Sequence, residues 1–148
     1  MNKTKWIISL IISFSMTSCF GLFDSGTKTI KGKFKLVWID LQETQGIVES
    51  YDNSGSGSQI VPEYVFSVGH NDDFIIAKQH PTSGFDKGYE IDTTILNYFI
   101  VDMNNKILKD EYNKVWGPLS KQQFDSLRTK LKITDIKFDK NYPETYKY

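Results

Sequence analysis

His70 and His80 are the only side chains in this sequence whose ordinary ionisation lies near neutrality, and Asp72 and Asp73 stand between them. Imidazoles and carboxylates at short spacing are metal-ligand types, so the elements that would hold them decide whether they can act together. "YVFSVGHNDDFIIAKQHP" places two apolar runs, Tyr64–Gly69 and Phe74–Gln79, either side of "HNDD". With Asn71–Asp72 as a two-residue turn, a tight hairpin forms that faces Phe66 with Ala77 and Val68 with Ile75. His70 then sits at the tip and His80 about seven residues down the other strand, roughly 20 Å away at the usual rise per residue. No shared metal and no cofactor is expected. Serine is plentiful, but no Gly-x-Ser-x-Gly elbow presents one as a nucleophile. Glu43 and Glu49 are one of many carboxylate pairs that could be drawn for glycoside hydrolysis, and spacing alone selects none. "DNSGSGSQ" (52–59) lacks the lysine and the following helix of a phosphate loop, and reads as an exposed loop. The expectation is a non-catalytic protein.

Cys19, the single cysteine, suggests different chemistry. "MNKTK" is basic, "WIISLIISFSM" is an apolar run too short for a comfortable membrane span, and Thr17, Ser18 and Cys19 follow. This is the layout of a secretory signal that ends in a bacterial lipoprotein box. The thiol of Cys19 would take a diacylglycerol as a thioether, and the small Thr17 and Ser18 would let a peptidase cut between Ser18 and Cys19. More than one acyl chain at Cys19 would anchor the chain stably, where a single chain is marginal. One cysteine also excludes an internal disulfide and any multi-cysteine metal site.

Charge is balanced, with 18 basic and 18 acidic residues, and removal of Lys3 and Lys5 with the signal leaves 16 against 18. Nothing there favours nucleic acid as a partner. The 148 residues fit one ordinary domain plus appendages, and 14% aromatic content with many Ile and Val leans toward β structure. The expected organisation is a signal over 1–18, a lipid anchor and tether over 19–32, one domain over 33–140 and a tail over 141–148.

Within the domain, "KFKLVWIDL" (33–41) alternates as a strand, "IVESY" (47–51) returns as its partner, and "TTILNYFIVDM" (93–103) is apolar on both faces, as a central strand would be. "ILKDEY" (107–112) could pair back on that strand. The period then changes: Ser120 with Gln123 forms a capping box after Pro118, and Phe124, Leu127 and Leu131 recur at helical spacing. A short strand over 136–138 closes the pattern. The sum is an α+β fold, an antiparallel β-sheet meander of about six strands with one C-terminal helix packed on it.

"FIIAKQHP", "NYFIVD" and "GPLSKQQFDSLRTKL" together resemble the small bacterial lipoproteins grouped as domain of unknown function 3997, over roughly 73–133. The resemblance implies a lipoprotein signal and a strand–turn–helix ending, and it implies no activity. The best polar contact surface is the strand end with Lys78 and His80 and the adjacent loop with Asp86 and Tyr89, helped by Tyr98, Tyr142, Tyr146 and Tyr148. The expected function is a membrane-anchored envelope lipoprotein, held by its N-terminal lipid, that binds a protein or cell-wall partner. In a Gram-negative cell it would sit on the periplasmic face of the outer membrane. The alternatives are an immunity or inhibitor lipoprotein that neutralises a toxin or hydrolase, and a small envelope hydrolase.

Overall fold

A computed structural model describes residues 25–52, 56–82, 90–105, 107 and 114–142. The expected signal over 1–18, Cys19 and most of the expected tether lie outside these residues. The chain builds β1 (Gly26–Lys31), β2 (Phe34–Trp38), a 3-10 turn (Gln42–Thr44), β3 (Gly46–Ser50) and β4 (Gly57–Val61). Then follow β5 (Val65–His70), β6 (Phe74–Gln79), β7 (Asn97–Asp102), β8 (Val115–Leu119), helix α1 (Lys121–Leu131) and β9 (Lys140–Asn141).

The antiparallel β character and the single described helix agree with the sequence, but the strands form two sheets rather than one meander. β1-β2-β3-β4 make a four-stranded sheet and β8-β7-β6-β5-β9 a five-stranded one. Ile30, Phe34, Leu36, Ile47 and Val61 of the first pack against Val65, Val68, Ile75, Ala77, Phe99 and Val101 of the second. The other face of the five-stranded sheet, with Phe74, Ile76, Tyr98 and Ile100, is covered by Phe124 of α1 and by Ile133 and Ile136 beyond it. Three layers result, which is why β7 is apolar on both faces.

Strand β1 begins the first sheet ahead of residue 33. "GTKTIK" shows only Ile30 as an apolar signal, yet a two-residue turn at Gly32 (φ +55°) and Lys33 folds it back onto β2, pairing Gly26 with Trp38 and Lys31 with Phe34. The expected loop over 52–59 is corrected, because Gly57–Gln59 belong to β4 and pair with β3.

The β5–β6 hairpin forms one residue out of the expected turn. Asn71 N–H donates to Phe74 O (3.0 Å), and Asn71 Oδ1 accepts from the N–H groups of Asp73 and Phe74 (2.9 and 2.8 Å), so Asp72–Asp73 are the loop pair. Val68 therefore faces Ala77 and His70 faces Ile75. Moving a turn by one residue slides the pairing by two, so every side chain keeps its face and the core is unaffected. Phe66 sits in a bulge between Val65 and Ser67.

The strand paired to the free side of β7 is β8, and the expected partner over 107–112 lies outside the described residues except for Ile107. No strand forms over 136–138; the strand after the helix is β9, which pairs with Ser67 and Val68 of β5. Ile136 is used instead as a plug under the helix layer. Helix α1 forms as the sequence predicts, with Ser120 Oγ accepting from Gln123 N–H and the Gln123 side chain accepting from Ser120 N–H.

Cross-links fix which ends of the two sheets coincide. At one end Gln45 Nε2 donates to Val65 O (2.8 Å) and Val65 N–H to Gln45 O (3.0 Å). At the other, Lys31 pairs with Asp72 (3.0 Å) and Lys114 with Glu49 (2.7 Å). We refer to these as the Gly26 end and the Asp72 end.

Candidate functional site

Of the four residues expected on a contact surface, Asp86 and Tyr89 lie outside the described residues. His80 is buried at 8% exposure. Its ring stacks on Phe66 with centroids 4.6 Å apart, and because a carbonyl can only accept, its Nδ1–H donates to Ile95 O at 2.7 Å. The Lys78 amine lies 4.5 Å from the Phe138 ring centroid, held beside the layer that α1 covers. Each side chain packs against an aromatic ring. His70 accepts no comparable role: it is half-buried at the hairpin tip, with Nδ1 3.2 Å from Asn71 O. Among the described residues no three His, Cys, Asp or Glu side chains come together as metal ligands.

A concave feature lies elsewhere, beside the four-stranded sheet. A cleft of about 540 Å³ is floored by Val37 and Val48 and walled by Trp38, Ile39 and Tyr64, with Thr44, Ser56, Gln59 and Glu63 supplying polar groups. Val37 and Val48 reach the cleft because strand alternation sends Leu36 and Ile47 into the core. Trp38 is held by its neighbour across the ladder, since a Cβ on Gly26 would stand 2.4 Å from the indole ring. The Lys28 amine lies over Trp38 and over Tyr142, 5.6 and 5.1 Å from the ring centroids. The Tyr142 hydroxyl is pushed up from its ordinary pKa by burial, with the charge of Asp139 adding to it. Mostly apolar walls with a few placed polar groups are the make-up of a recognition site.

Two carboxylates have well-defined partners. Burial works to raise the pKa of Glu49, but hydrogen bonds from Lys114 and Lys33, with their charges, outweigh it and hold the carboxyl below its ordinary value. Asp92 is held low by the hydroxyl and N–H of Thr94, both donating to Oδ1. Glu49 ties β3 to the start of β8, and Asp92 shapes the turn before β7; each serves the scaffold.

The family model described as "Protein of unknown function (DUF3997)" matches residues 31–142, from the end of β1 to just past β9. The chain belongs to this family. No curated protein and no solved structure matches it. The DUF3997 match is wider than the strand–turn–helix text over 73–133, and takes in every residue that lines the cleft and all the strands but β1, of which it reaches only Lys31. Sequence reasoning missed the cleft because Val37–Ile39, Thr44, Val48, Ser56, Gly57, Gln59, Glu63 and Tyr64 come from separate segments that only the folded chain assembles. The one local signal was that "KFKLVWIDL" is apolar on both faces, more than a half-buried strand needs.

Proposed function

We propose that this protein is a bacterial envelope lipoprotein, anchored through lipid on Cys19, whose β-rich domain is a non-catalytic binding module for a protein or cell-wall partner. The anchor rests on the signal and box text around Cys19. The binding reading rests on one observation, the apolar cleft walled by Trp38, Ile39 and Tyr64 beside the four-stranded sheet. Two aromatic walls, a valine floor and a few hydrogen-bonding groups favour capture of an apolar side chain or ring over chemistry on it.

The test separates anchor from module. Cys19→Ala is expected to abolish incorporation of labelled fatty acid and release the protein from the membrane fraction; persistent labelling refutes the anchor. Gln59→Trp, which fills the cleft mouth from an exposed strand, is expected to lower binding to purified sacculi or to a recovered envelope protein by about tenfold or more. Unchanged binding by a variant with an unchanged thermal midpoint refutes the cleft as the binding site.

A further inference from the structure

Of the six large hydrophobic side chains most exposed among the described residues, four gather at the Gly26 end. Ile39 (68% exposed) and Leu41 (49%) follow β2, and Ile95 (47%) and Leu96 (37%) precede β7. They belong to different sheets, and the chain of pairings Gln45–Val65, Val65–Gln79 and Gln79–Asn97 brings them to one end of the sandwich. His80 fixes the second pair by holding Ile95 O, so these side chains are presented by a braced loop. The cleft opens beside the first pair, with Ile39 as part of its wall.

Among the described residues, carboxylates outnumber lysines around these side chains. Asp40, Glu43, Glu63, Glu90 and Asp92 all lie at this end, with Asp40, Glu63 and Glu90 exposed. The described lysines at this end are already engaged: Lys28 lies over the Trp38 and Tyr142 rings, Lys78 over the Phe138 ring, and Lys121 pairs with Asp125. Anionic lipid headgroups would be repelled by such a rim, whereas a basic polypeptide would be drawn to it.

We propose that the Gly26 end is the docking surface of the module, and that its partner is a polypeptide that offers apolar side chains to Ile39, Leu41, Ile95 and Leu96 from within a lysine- or arginine-rich segment. This rests on the binding-module reading above and names the chemistry of the partner. An apolar centre inside a charged rim is the usual anatomy of a protein interface, and the opposite charges set orientation and speed of encounter.

The test uses the full chain in its own envelope, with a photo-crosslinking amino acid placed in turn at Leu41 and Ile95, and at Tyr51 and Ile107 as controls at the Asp72 end. The expected result is an adduct from Leu41 and Ile95 to one polypeptide whose cross-linked segment contains lysine or arginine beside apolar residues. Glu43→Lys with Glu63→Lys is expected to lower that yield about tenfold. Leu41→Ser is expected to do the same without touching charge, which guards against a charge variant that fails to fold. Adducts to lipid alone, to a second copy of the chain, or to a segment without basic residues overturn the proposal. Adducts confined to Tyr51 and Ile107 overturn the surface assignment and leave the binding-module reading standing; no adduct from any of the four positions overturns both.

Discussion

Glu49 takes hydrogen bonds from Lys114 at 2.7 and 3.1 Å and a further contact from Lys33, and it ties the four-stranded sheet to the segment that starts β8. Removing the carboxylate leaves the Lys114 amine, on a side chain only 10% exposed, without its partner. Glu49→Gln should therefore cost about 2 kcal/mol in urea unfolding. The sign with pH follows from the lowered pKa. The contribution of Glu49 is complete above the unfolded carboxylate value and is lost as pH falls through the lower folded value, so wild type and Glu49→Gln should converge in acid. A constant difference between neutral and acid pH would contradict the pairing. His80 offers a second check at this scale. His80→Phe keeps a ring on Phe66 but leaves Ile95 O without its donor, and should cost about 1 kcal/mol. The place of His80 was not legible locally: it reads in sequence as a strand-end residue, and only the bulge at Phe66 and the turn before β7 close around it.

The elements divide by how local their causes are. Helix α1 was fully legible, because Ser120, Gln123 and the Phe124–Leu127–Leu131 stripe all act within three turns. Ser120→Ala should cost about 1 kcal/mol by loss of the cap, measured as a shifted urea midpoint with an unchanged slope. Strand β1 was not legible, since Ile30 is its single large apolar residue and its pairing comes from the turn at Gly32. β9 is set by contacts still farther off; Ser67 Oγ donates to Asn141 Oδ1 at 2.7 Å across 74 residues of sequence. Gly69 shows how tightly that long return packs. A Cβ there would stand 1.9 Å from Lys137 O, so Gly69→Ala must displace backbone and should destabilise by about 2 kcal/mol, with β9 the first element to lose amide protection in hydrogen exchange.

On the scale of the whole molecule, the five-stranded sheet is the shared layer, covered by the four-stranded sheet on one face and by α1 and Ile136 on the other. Phe124, at 1% exposure and stacked on Tyr98 with centroids 4.6 Å apart, anchors the outer layer. Phe124→Ala should cost about 4 kcal/mol and loosen the helix layer while the sheet-to-sheet core keeps its exchange protection. Loss of protection in β2 and β3 to the same degree would mean that the two cores are one cooperative unit. The sandwich also makes the ends of the molecule meaningful: pairing across sheets gathers Ile39, Leu41, Ile95 and Leu96, from positions more than fifty residues apart, at the end where β1 begins.

By itself the sequence determined what adjacent residues decide: the capped helix, the β5–β6 hairpin and its faces, the two-sided burial of β7, and family membership. Periodicity, caps and turn residues act over a few positions, so they are written where they act. The tertiary structure decided the rest: the split into two sheets, the choice of β8 and β9 as ladder partners, the burial of His80 and the cleft beside Trp38. Strand partners are selected by which edges and apolar faces remain uncovered once the whole chain has collapsed, and no short stretch of sequence carries that information.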